Sequence, residues 1–257
     1  LSYPTSIAVD STCRLFVANY NSNEILRFDQ NTWQTGGPAD AVITGVSNPT
    51  ALAVSGSEVF VAQDFNSVFT DDRIAVLDSA ASGPIAPLRT ISDGETNIVD
   101  AVGIAVSNGK IYLASSSTDG VAEFLTSDDG PAVPAQRTVA GASTGMTALI
   151  GGIDVVDSDA NGTNDLLFVG NDGSSDSIRV FNLSTMSSGA NNVAPTRVIS
   201  GASTSLVLPS DVDAAASDSG YQIYVANKNF ASSSVTGYFL QPAGAPFEPT
   251  AAPTQGS

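Results

Sequence analysis

The chain has 257 residues, with 26 acidic against 9 basic side chains, a net charge of −17, one cysteine and no histidine. The acidity excludes nucleic acid and anionic membranes as partners, since both require Lys and Arg to displace counterions. The lack of histidine removes the usual general base near neutral pH, the Ser-His-Asp triad and His-bound zinc, and Cys13 alone can form neither an intrachain disulfide nor a cysteine zinc site.

In chain order, the first phrase is Pro4 to Val9, then Leu15 to Asn19, then Ile25 to Phe28. It reads as three short strands: one of small apolar residues, one carrying an aromatic and ending in Asn, and one alternating. The chain starts directly on this strand with no leader pattern, as expected of a mature or trimmed form. No run is long enough for a membrane-crossing helix, so no membrane insertion is expected.

The phrase returns four times. Its first strand reappears as Pro49–Val54, Ala101–Val106, Ile150–Val155 and Pro209–Ala214. Its second reappears as Val59–Gln63, Ile111–Ser115, Leu167–Asn171 and Ile223–Asn227, and its third as Ile74–Leu77, Val121–Phe124, Ile178–Phe181 and Val235–Phe239. A fourth strand closes most units: Ala41–Thr44, Pro87–Ile91, Pro134–Val139 and Pro195–Ile199, each preceded by a polar Gly/Pro loop such as Ser79–Pro84 and followed by Gly45, Gly94, Gly141 or Gly201. Four strands at a period of about 50 residues predict an all-β fold, a β-propeller of four-stranded antiparallel blades. The units fall at about 1–45, 46–97, 98–145, 146–203 and 204–249 within a single domain, 1–249, and a Pro/Ala/Thr-rich tail follows at 250–257. Five blades are visible. The alternative is a six-bladed ring lacking one blade, and Ala245–Thr250 is the candidate outer strand of the last unit.

The phrase Pro-x-x-Ile-Ala-Val-Asp, Leu-Phe-Val-Ala-Asn and Ile-x-x-Phe resembles the NHL repeat. The linker Ser82–Ile91 resembles the variant of bacterial secreted and cell-envelope proteins. The resemblance covers about residues 1–240. It implies an extracellular, cell-envelope or periplasmic location in a bacterium, and a range of functions from scaffold and adhesion module to lactonase-like or lyase enzyme.

One insertion carries a sharper pattern: Asp157, Asp159, Asn161, Gly162, Thr163 and Asp165. Oxygen ligands at alternate positions, a glycine for the turn, the Thr163 carbonyl and a late Asp suit Ca²⁺. The pattern is similar to the calcium loops of FG-GAP-type propellers, without the Glu at the twelfth position of an EF-hand. The competing reading is a bare polar turn. A second candidate is Asp154 with Asp211 and Asp213. Asp154 and Asp213 stand where Ala8, Ala53 and Ala105 occur in other units, which would place them on innermost strands beside the channel. They form either a polar or cation site, or carboxylates hydrogen-bonded to backbone at a solvated wall. Asp71-Asp72, Asp128-Asp129, Asp10 and Asp64 read as turns. Arg89, Arg137 and Arg197 repeat on outer strands and are expected to make carboxylate or carbonyl contacts between blades. Asn19, Asn171 and Asn227, at second-strand exits, either line a binding rim or serve turns. Trp33 is either an exposed anchor or a lid on its blade.

The expected function is a non-enzymatic binding or assembly module, stabilised by Ca²⁺. Its partner would be another protein, a copy of itself, or a glycan. The alternative is a metal-dependent hydrolase or lactonase using Asp154, Asp211 and Asp213. No catalytic residue is assigned.

Overall fold

A computed structural model describes residues 1–64, 72–94, 97–147, 150–157, 161–163, 165–173, 176–228 and 233–241. Its sheets are the blades of a five-bladed, all-β propeller. The inner strands are Pro4–Val9, Pro49–Ser55, Ala101–Ser107, Ile150–Val156 and Pro209–Ser217. The second strands are Leu15–Asn19, Glu58–Gln63, Lys110–Ser115, Leu166–Asn171 and Gly220–Asn227, and the third are Glu24–Phe28, Arg73–Asp78, Gly120–Leu125, Ser177–Asn182 and Ser234–Leu240. Outer strands are Ala41–Thr44, Arg89–Ile91, Arg137–Ala140 and Arg197–Ser200. Among the described residues the fifth sheet has three strands. Its candidate outer strand, Ala245–Thr250, lies outside them, as does the tail.

The chain parts into two compact units, Leu1–Ser115 with Ala122–Gln136, and Ser116–Val121 with Arg137–Ser257. Strand alternation sends successive side chains to opposite faces, and each face needs a cover. In the first unit Phe16, Ile25 and Ile43 of the first blade pack on Leu52, Val59 and Val61 of the second. The second blade then turns Phe60, Ile74 and Val76 to Ile104, Ile111 and Leu113 of the third. In the second unit Phe168, Ile178 and Val180 of the fourth blade meet Val212, Ile223 and Val225 of the fifth. Each such side chain contributes about 1.5–3 kcal/mol of apolar burial.

The entry to the inner strand is strained in the same way in four blades. Tyr3, Asn48, Asp100 and Leu208 all have φ between 40° and 53°, and a bulge follows in each strand. Asn and Asp tolerate this left-handed backbone, whereas Tyr3 and Leu208 carry about 1–2 kcal/mol of strain. At the second-strand exits, Asn19, Asn171 and Asn227 are buried. Their carboxamide oxygens accept the amides of Ser2, Thr147 and Val207. Of the two readings for these residues, the structural one holds: they tie the incoming loop to the blade.

The Gly/Pro loops do more than turn. Gly83–Pro84 pairs in parallel with the outer strand of the preceding blade, Ile43 opposite Gly83 and Thr44 opposite Pro84. Gly189–Asn191 does the same along Arg137–Ala140, and Gly130 bridges to Ile91. Gly45 is required by this strap: its φ is 102°, and a Cβ there would sit 2.3 Å from the Ile85 carbonyl oxygen.

Two of the three repeated arginines, Arg89 and Arg137, make the expected contact with a neighbouring blade. Arg89 holds Glu58 through two 2.8 Å bonds and donates to the Thr126 carbonyl at 2.8 Å. Arg137 donates to the equivalent carbonyl of Leu183 at 3.1 Å. Trp33 lies on a short helix, Gln30–Thr35. Its indole donates to the Cys13 carbonyl at 2.9 Å, so it leans on the first hairpin turn.

Candidate functional site

The inner strands show how one blade accepts the next. The Asp10 amide donates to the Arg14 carbonyl. Hydrogen-bonded pairs therefore recur at Ala8/Phe16 and Ser6/Ala18, and the amides of Ile7 and Val9 turn away from the second strand. In the second blade the amide equivalent to that of Ile7, on Leu52, donates to Ser6 Oγ of the first at 3.1 Å. In the fifth blade the amide equivalent to that of Val9, on Ala214, donates to Asp154 Oδ2 of the fourth at 2.8 Å. Side chains at the positions of Ser6 and Ala8 thus serve outward amides of the following inner strand.

Asp154 is the half-buried member of the predicted channel set. Its other oxygen accepts the Val155 amide at 2.8 Å. Burial pushes its carboxyl up to about 7, and the charges of Asp213 and Asp211 add to the push, against the two amide bonds. Asp211 is driven up to about 6, by burial first and Asp213 second. Its side chain nonetheless keeps open surface, and water reaching it screens that push, so Asp154 carries the perturbation. Asp211 Oδ1 accepts its own Val212 amide at 3.0 Å, the amide that a side chain at position 152 would otherwise serve. Gly152 makes room for it: a Cβ there would sit 1.8 Å from Asp211 Oδ1.

The structure therefore brings Asp154, Asp211 and Asp213 into one another's fields, but not into one ligand shell. Among the described residues, the trio of carboxylates whose oxygens lie within 4.8 Å of one another is Asp64, Asp72 and Asp100. Asp72 is buried, against the expectation of a solvated turn, and accepts the Asp100 amide at 3.1 Å. Oxygen donors so placed suit a hard cation. No local spacing announces this trio. Its members belong to a second-strand exit, a third-strand entry and the next inner-strand entry, which only the blade alignment relates.

In the 157–165 loop, Asp159 lies outside the described residues. Asp157 accepts the Asn161 amide at 3.2 Å and the Gly162 amide at 2.8 Å, and Asn161 Oδ1 accepts the Thr163 amide at 2.8 Å. Gly162 takes φ 82°. Asp165 then joins the hairpin through its amide to the Val156 carbonyl at 2.9 Å. These are Asx-type turns. The side-chain donors are all oxygen, which fits Ca²⁺ by type.

Two sheet faces depart from the rest. Phe16, Phe60 and Phe168 are fully buried, yet Tyr224 at the same position of the fifth blade is 51% exposed. Ile25, Ile74 and Ile178 are buried, yet Val235 is 58% exposed. On the first blade the opposite face is open: Ile7 is 62% and Val9 56% exposed, where Leu52, Ile104, Ile153 and Val212 at the position of Ile7 are buried.

No protein-family model matches the chain, and no curated protein sequence does. Solved structures do. The chain is similar to BBS1N in its complex with ARL6DN, at 12% identity and a TM-score of 0.55, over 94% of this chain and 65% of that one. It is similar to the WD40 domain of Toxoplasma gondii coronin, at 12% identity and 0.59, over 96% and 57%. It is also similar to a putative 6-phosphogluconolactonase from Bacteroides uniformis, at 15% and 0.59, over 98% and 72%. The chain spans less than two thirds of the first two. Identities this low establish the propeller fold alone.

Proposed function

We propose that the chain is a non-enzymatic binding or assembly module on a propeller scaffold, of NHL-repeat type, in the extracellular space or cell envelope of a bacterium. The observation that carries the binding role is the exposure of Tyr224 and Val235 at positions buried in other blades. An open sheet face with an aromatic and an aliphatic side chain is a docking surface for protein. A protein fits it better than a glycan, because what is exposed is a face built like a blade contact. The likeness to a propeller solved in complex with another protein supports the same role. The hydrolase reading finds less support. Both oxygens of Asp154 are taken by amides, and the three channel carboxylates do not converge.

The 157–165 loop is proposed to bind Ca²⁺ as a structural ion, on the strength of its oxygen donors at alternate positions. Its resemblance to FG-GAP-type loops supports that reading.

The docking face is tested with Tyr224→Ser/Val235→Thr. A docking face outside the core leaves the melting temperature within about 1 °C and lowers binding of an apolar dye. A loss of several degrees, as Phe168→Ser would give, would mean that the face is core and would overturn the proposal.

A further inference from the structure

The parallel straps pair with the outer edges of the first three blades. Ile43, Ile91 and Ile199 stand opposite Ile25, Ile74 and Ile178 of their own blades, so the residues that follow them, Thr44, Ser92 and Ser200, are equivalent. The Thr44 carbonyl accepts the Ile85 amide at 3.0 Å. Ser92 is held at both backbone groups: its amide donates to the Gly130 carbonyl at 3.0 Å, and its carbonyl accepts the Val133 amide at 2.7 Å. The fourth sheet ends at Arg197–Ser200, with no strap among the described residues. There Val198 and Ser200 turn their amides and carbonyls off the edge, as Thr90 and Ser92 do in the second blade. The straps also bring a side chain each. Ile85 and Val133 pack on the apolar contact between their blade and the preceding one. The contact between the fourth and fifth blades has no such side chain among the described residues.

We propose that the edge Arg197–Ser200 is a docking site for the chain's own Gly244–Phe247, laid on it as a parallel strap with Gly244 opposite Ile199 and Phe247 over the apolar contact of the fourth and fifth blades. This segment lies outside the described residues, and its sequence and place match the role. Gly83 and Gly130 come five residues after third strands end at Asp78 and Leu125, and Gly244 comes four after Leu240. Gly130, Pro131, Ala132 and Val133 precede Pro134, and Gly244, Ala245, Pro246 and Phe247 precede Glu248 and Pro249. Pro246 falls at Ala132, and the strap bonds run through Gly130 and Val133, so the missing N–H of proline does no harm there. Ala245–Phe247 thus passes from the outer strand of the fifth blade to the edge of the fourth, and Pro249-Thr250 matches the Pro195-Thr196 that leads into Arg197–Ser200. Both blades belong to one compact unit. The tether favours this segment over the same segment of a second copy, because it holds the local concentration high, whereas two chains of net charge −17 repel. A covered edge also offers no template to a foreign strand.

Amide hydrogen exchange followed by NMR on the full chain tests the proposal, with Ser92 as the reference in the same sample. The Ser200 amide is expected to exchange within about tenfold of the Ser92 amide. Phe247→Asp is expected to speed exchange at Ser200 at least about tenfold and to leave Ser92 unchanged. The reference separates loss of the strap from loss of the fold, since global unfolding opens both amides alike. A Ser200 amide that exchanges at the open-chain rate in wild type would overturn the proposal. So would protection at Ser200 that Phe247→Asp leaves intact. Protection that grows with protein concentration would put a strand of a second copy on the edge and overturn it as well.

Discussion

Arg27 and Arg89 reach equivalent carbonyls from opposite members of one cross-strand pair. Arg27 stands opposite Ala41 and donates to the Ser79 carbonyl at 3.1 Å. In the next blade Val76 stands opposite Arg89, which donates to the Thr126 carbonyl. The exchange has a local cause. Glu58, which grips Arg89, is replaced in the first blade by Arg14, which binds Asp10 at 2.7 Å and Ser79 Oγ at 2.9 Å. An arginine at position 41 would face like charge, so the guanidinium sits on the third strand instead.

The two arginines should therefore differ when removed. Arg89→Met is expected to lower stability by about 2 kcal/mol, since Glu58 loses a bidentate partner. Glu58→Gln in that background should recover part of the loss. Arg27→Met should cost about 1 kcal/mol. Asp29→Asn should recover nothing there, because Asp29 is exposed and 3.7 Å away. Urea denaturation of the four variants decides it, and equal rescue in both blades would disprove the assignment.

Asp154 makes stability depend on pH. Its folded carboxyl lies at about 7 against an ordinary 3.8. Between those values the folded protein holds a proton that the unfolded chain has released, so this group's contribution to stability falls as pH rises through the window. The full effect is up to about 4 kcal/mol. Asp154→Ala, the residue of the first three blades, should flatten the profile. Relative to wild type the variant should gain between pH 4 and pH 7. Parallel wild-type and variant curves from thermal melts across that range would refute the attribution.

Lys110 and Glu123 form a largely buried pair at 2.7 Å, with the Glu123 side chain 5% exposed. Lys110→Met removes one cation from that charge and should cost about 2 kcal/mol, at the low end because Lys110 keeps some solvent. Adding Glu123→Leu should restore most of the loss. A double variant no more stable than the single one would show that the apolar pair does not fit the space.

Calcium at the 157–165 loop makes a further prediction. A bound ion at a hundred times its dissociation constant adds about 2.7 kcal/mol, which for a chain of this size raises the melting temperature by about 5–11 °C. A chelator should reverse the rise, and Asp157→Ala or Asp159→Ala should abolish it. Calorimetry with no calcium response in wild type would leave the loop as the polar turn its amide bonds describe.

Much of the fold was legible because burial writes itself into side chains. Ile7, Leu52, Ile104, Ile153 and Val212 recur at one position because strands need an apolar face there, and the alignment of units follows from them. The straps were not legible. Gly83–Pro84 pairs through backbone alone over two residues, leaving no alternation to read, and proline argues for a loop. Asp72 was misread because a carboxylate satisfied by an amide from a distant strand looks the same in sequence as one satisfied by water. Asp154 was legible as a departure from Ala8, Ala53 and Ala105. That Ile7 and Tyr224 would lie open was not, since composition is the same whether or not a neighbour covers it.

The parallel straps also bear on synthesis. The edge of the first blade, Ala41–Thr44, is completed only when Gly83–Pro84 has been made about 40 residues later. At about 5–20 residues per second that edge waits some 2–8 s on the ribosome. Among the described residues the first three blades are each joined in this way by their successor, so over that part of the chain a nascent polypeptide exposes one unfinished strand. A translational pause just before such a strap would prolong the interval in which that strand can pair with the wrong partner.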